Sequence, residues 1–181
     1  MDFNVLGPAP LSAAFATMTL QPHEQVLVDG NRRELLEFGS CTYCVVIDWR
    51  DDVDMILEDV KRMLPEGYLT YRRIDEQTWQ LQRHGDSRTL VAPEGIKHEP
   101  LLQSINQALL PEYEMRIFTP TIGDGYSLLV RPPHWWRDFS TAYPSRARKL
   151  FVTTDERVRV TGTAPLARSQ PTSWWRKLFR V

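Results

Sequence analysis

The chain has 181 residues, of which 42% are hydrophobic and 25% charged, values that exclude a disordered or fibrous polymer and suit one domain of ordinary size. Its formal net charge of −1 is unevenly spread: residues 161–181 hold Arg168, Arg176, Lys177 and Arg180 with no acid, so they carry +4 and leave −5 on residues 1–160. An acidic body argues against nucleic acid as the partner, because phosphate contact needs a basic surface. It does not exclude a basic protein partner.

No apolar run approaches the roughly 18 residues that span a bilayer. The opening MDFNVLGPAPLSAAFATM lacks the basic segment of a secretory signal. Cys41 and Cys44 are too few for a secreted disulfide scaffold, so a cytoplasmic protein is expected.

Residues 1–22, with Pro8, Pro10 and Pro22, read as an N-terminal arm. Glu24 to Val28, the turn dipeptide Asp29-Gly30 and the run RRELLEF predict a hairpin over 24–38. In Thr42 to Trp49 the side chains alternate, and both faces are largely apolar, which predicts a central strand covered by helix. Asp51 and Asp52 offer an N-cap for a helix over 53–64, where Val53, Ile56, Leu57, Val60 and Leu64 make one apolar face.

Tyr68 to Ile74, Thr78 to Arg83 and Arg88 to Ala92 form a predicted three-stranded meander, separated by Asp75-Glu76 and His84-Gly85-Asp86. A second helix is expected over 99–110, with Leu101, Leu102, Ile105 and Leu109 as its stripe. Tyr113 to Thr119 and Tyr126 to Arg131 read as strands flanking Gly123-Asp124-Gly125. A short helix follows in HWWRDFSTAY, and alternation around Val158 and Val160 predicts a last edge strand. Together these give an α+β domain over residues 23–161: a mainly antiparallel β-sheet of about six to eight strands with two principal helices packed on one face. Residues 162–181 read as a linker ending in a basic aromatic helix, SWWRKLFRV.

Four constellations bear on function. The pair Cys41-Thr42-Tyr43-Cys44 has redox or half-zinc spacing, but it leads into a strand instead of opening a helix, and residues three apart in extended chain point to opposite faces, so the sulfurs diverge unless the chain turns at Ser40-Cys41. Core thiols are the expected outcome, and no cofactor or metal is assigned. Asp48, Asp51, Asp52 and Asp54 crowd the strand-to-helix junction; capping accounts for Asp52 and Asp54, whereas Asp48 sits in the strand body and needs an arginine such as Arg50, Arg72 or Arg116. Asp48 is therefore the one candidate functional carboxylate.

His84, Asp86 and Ser87 are neighbours in a turn, which is not how a catalytic triad assembles, and GxSxG, GxGxxG and Walker patterns are absent. No catalytic residue is assigned. The fourth constellation is aromatic. Trp135, Trp136 and Arg137, and again Trp174, Trp175 and Arg176 with Phe179, are candidate anchors for another molecule. The expected function is a non-enzymatic protein-binding domain of the toxin-immunity or adaptor kind. The alternatives are a small carboxylate enzyme, with or without a divalent metal, around Asp48, and membrane association through the C-terminal helix.

Overall fold

Alternating apolar residues pair the strands antiparallel in two sheets of a computed structural model that describes residues 18–48, 50–92, 98–123 and 125–161. The larger sheet has four strands in the order β1 (Val45–Asp48), β6 (Gly125–Arg131), β5 (Glu114–Phe118) and β7 (Phe151–Thr153). The smaller is the meander β2 (Thr70–Arg73), β3 (Thr78–Arg83) and β4 (Asp86–Val91). With helices α1 (Val26–Asp29), α2 (Arg32–Gly39), α3 (Val53–Arg62), α4 (His98–Leu109), α5 (Pro133–Ala142), α6 (Pro144–Leu150) and α7 (Thr154–Thr161), the protein is α+β.

Each face of the four-stranded sheet has its own core. On one face Val45, Ile47, Met115, Ile117, Leu128 and Val130 pack with the apolar stripes of α3 and α4 and with Trp79, Leu81 and Leu90 of the small sheet. On the other, Cys44, Phe118 and Leu129 meet Leu27, Leu35 and Phe38 from α1 and α2 and Trp136, Phe139, Ala147 and Leu150 from α5 and α6. The two helices foreseen over 53–64 and 99–110 thus cover one face, while other helices cover the opposite one. The strands divide between two sheets instead of forming one.

Buried polar groups tie the layers together. Asn106 of α4 accepts from Met115 N–H of β5 at 2.7 Å and donates to Thr154 Oγ1 at the start of α7 at 3.1 Å. Arg131 of β6 holds the buried Glu24 at 2.8 Å, and Arg146 of α6 donates to the carbonyls of Val26, Leu27 and Gly30 where α1 ends. A cation at that end offsets the negative pole of the helix.

Three local expectations are overturned. Residues 24–38 are not a hairpin: Gly30 is extended at φ −60°, and Asn31 begins α2 by accepting from Arg33 N–H and Glu34 N–H while Glu34 returns a bond to Asn31 N–H. That reciprocal cap satisfies amides a helix start leaves unpaired, which outweighs the turn preference of Asp-Gly. The segment around Val158 and Val160 is not a strand but α7, opened by the same device, in which Glu156 N–H donates to Thr153 Oγ1 and Thr153 N–H to Glu156. Finally, β1 lies at an edge of the sheet, pairing among the described residues with β6 alone.

Candidate functional site

The site is built around that edge. β1 pairs Val45 with Leu128 and Asp48 with Gly125, and Gly125 is required there because a Cβ would strike the Ile47 carbonyl. Val45 and Ile47 point into the core, but Val46 is 44% exposed, beyond the reach of the helices that cover Cys44. Just ahead of the strand Tyr43 is 40% exposed, yet its ring is held by a parallel stack on His23, with centroids 3.8 Å apart. The edge therefore carries an aromatic ring held by stacking, an exposed valine and, between Cys44 and Asp48, the main-chain groups of Val46 that no described strand pairs; Asp48 N–H and its carbonyl are both taken by Asp51, and Cys44 N–H by the Cys41 carbonyl.

The acidic turn follows directly. Asp48 takes Nε and Nη2 of Arg50 at 3.0 and 3.1 Å and also accepts from Arg50 N–H at 3.0 Å. These hydrogen bonds, assisted by the charges of Arg50 and His98, hold its carboxyl below the usual carboxylate range. Of the three arginines considered for it, Arg50 is the partner. Asp51 accepts from Asp48 N–H at 2.7 Å, and Asp52 caps α3 through Met55 N–H at 2.9 Å. Asp54 accepts from Trp79 Nε1 at 2.8 Å, with Arg73 3.8 Å away.

All four aspartates thus have structural partners, and a carboxyl with a lowered pKa is a poor proton acceptor at neutral pH. Among the described residues no group of three or more His, Cys, Asp or Glu side chains could hold a metal ion. Behind the turn, Tyr126 Oη donates to Glu99 at 2.6 Å, and the buried His98 leaves Nε2 without a hydrogen-bond partner. That buried cluster was not legible in the sequence, because its members come from β6 and α4.

The first aromatic pair divides between core and surface. Trp136 is 1% exposed, donates Nε1–H to the Glu114 carbonyl at 3.0 Å and lies under Arg116, so its ring belongs to the core. Trp135 is half-buried, stacked on Phe139 with centroids 4.9 Å apart, and Arg137 is exposed beside Asp138. Trp174, Trp175, Arg176 and Phe179, like the N-terminal arm up to residue 17, lie outside the described residues. Among the described residues no helix is long and apolar enough to cross a membrane.

The two cysteines depart from the extended geometry expected of them. Residues 41–44 form a turn closed by Cys44 N–H to the Cys41 carbonyl at 3.2 Å, and both thiols reach the carbonyl of Phe38, at 2.8 and 3.7 Å.

No protein-family model, curated protein or solved structure matches the chain.

Proposed function

We propose that the chain is a non-enzymatic binding domain for a basic protein, in the manner of adaptors or toxin-immunity proteins, and that an extended segment of the partner adds to the outer edge of β1. The observation that carries this reading is the outer edge of β1, which pairs with no strand among the described residues and has Val46 and Tyr43 exposed along it. Unpaired strand edges accept an extended segment through main-chain hydrogen bonds, while side chains on alternate positions supply selectivity. Four aspartates against the single Arg50 in residues 48–54, on a body of net −5, supply the complementary charge. A cytoplasmic setting accords with two free cysteines.

The carboxylate-enzyme reading keeps one supporting observation, the unpartnered His98 Nε2 near Asp48. It ranks second because Asp48 is already engaged by Arg50. Membrane association would rest on residues 174–179 alone.

The test is affinity capture from a lysate of the source cells with the full chain and with Val46→Lys, which places a cation on the edge. A stoichiometric basic partner that is retained by the wild type, lost with Val46→Lys and released by salt supports the reading. Retention unaffected by both Val46→Lys and salt contradicts it.

A further inference from the structure

The turn at residues 41–44 gives the cysteine pair a chemistry that extended chain would deny it. We infer that Cys41 and Cys44 form a reversible disulfide across this single turn, with a low-molecular-weight disulfide as oxidant, a property independent of the binding reading above. A four-residue turn brings its end Cα atoms within about 7 Å, and a disulfide spans about 4.4–6.8 Å between Cα atoms. The two sulfurs already converge, each donating to the one carbonyl of Phe38 where α2 ends.

The pair is also asymmetric. Cys44 is fully buried, whereas Cys41 is only partly so. An external disulfide therefore reaches Cys41 alone. The Cys41 thiolate, its proton lost to solvent, attacks one sulfur of the oxidant; a mixed disulfide forms and the other half leaves as a thiolate that takes up a proton. Cys44 then gives its proton to solvent and attacks Cys41 Sγ, forming the internal disulfide and expelling the second half as a thiol. The chain loses two hydrogens, and one small disulfide becomes two thiols.

The second step is the slow one. Burial, reinforced by the neighbouring Cys41, pushes the Cys44 thiol up to about 12, with Arg131 opposing. Its thiolate is scarce at neutral pH, and below that value its fraction rises about tenfold per pH unit. In a reducing compartment the pair rests as a dithiol and closes only when small disulfides accumulate.

The test incubates the folded full chain with oxidised glutathione between pH 7 and 9, quenches with acid, denatures, labels with maleimide and weighs the intact chain. The expected product lacks two hydrogens, retains no glutathione, takes up no maleimide and returns to the dithiol with dithiothreitol; its formation from the mixed disulfide quickens about tenfold per pH unit. Cys44→Ala should halt at one glutathione per chain, and Cys41→Ala should take up none while folded. A wild-type chain that stops at one glutathione, keeps both thiols or forms only disulfide-linked dimers overturns the inference, whatever the variants do.

Discussion

Asp48 and Arg50, two residues apart, close a bidentate ion pair across the end of β1, Nε to Oδ1 at 3.0 Å and Nη2 to Oδ2 at 3.1 Å. The pair fixes the direction in which the chain leaves the edge strand for α3. Because the folded carboxyl titrates below its unfolded value, its stabilising contribution is present above the unfolded pKa of about 3.9 and is lost as pH falls through the folded pKa. Asp48→Asn should therefore lower the melting temperature slightly at neutral pH, as befits an exposed pair, and the difference from wild type should vanish in acid. Melting curves of both proteins from neutral pH into acid check this; a difference that grows in acid contradicts it.

Tyr126 and Glu99 carry the opposite pH signature. Burial first, then the hydrogen bond and charge of Glu99, raise the phenol well above its ordinary range, with Arg157 opposing. A raised phenol contributes stability below the unfolded pKa of about 10 and loses it as pH rises through the folded value. An ultraviolet titration should show one tyrosine that Tyr126→Phe removes and that ionises only with alkaline unfolding. Tyr126→Phe should also cost about 1–2 kcal/mol at neutral pH by leaving Glu99 short of a donor.

Arg83 closes the C-terminal end of α4. It is buried, and its Nη1 lies within hydrogen-bond distance of the carbonyls of Ala108, Leu109 and Leu110, at 3.0, 2.7 and 2.7 Å. Arg83→Met keeps the aliphatic packing but strips these carbonyls of a cationic donor, for an expected loss of about 2–4 kcal/mol. Chemical denaturation measures it, and a loss too small to resolve would show that the carbonyls find other donors.

Trp136 and Arg137, neighbours on α5, should separate energetically. Trp136→Ala removes a core ring and is expected to cost about 3–5 kcal/mol, whereas Arg137→Ala on the surface should stay within about 0.5 kcal/mol. Equilibrium unfolding of the two variants distinguishes them. Similar costs would contradict the placement of the Trp136 ring in the core and of Arg137 on the surface.

Much of this architecture was legible in the sequence. Asp52 with the period of Val53, Ile56, Leu57 and Val60 marked α3, and the turn at His84-Gly85, where φ is +44° and +89°, marked the hairpin of β3 and β4. The two misread segments share a cause: Asn31-x-x-Glu34 and Thr153-x-x-Glu156 are capping boxes, a signal weaker to the eye than Asp-Gly or alternating valines yet decisive for the backbone. That β1 lies at an edge was not legible, because pairing order depends on contacts distant in sequence, and Val45 and Ile47 are as apolar as those of an interior strand. For the same reason the convergence of Cys41 and Cys44 on Phe38 was hidden: it depends on where α2 ends.

Hydrogen exchange at residues 45–48, with and without the captured basic partner, reads the outer edge of β1 itself. Addition of a strand to the outer edge predicts that the Val46 amide becomes protected on binding, whereas the Asp48 amide, already held by Asp51 at 2.7 Å, changes little, and that Val46→Lys abolishes binding. Partner binding that leaves exchange across β1 unchanged would contradict the account.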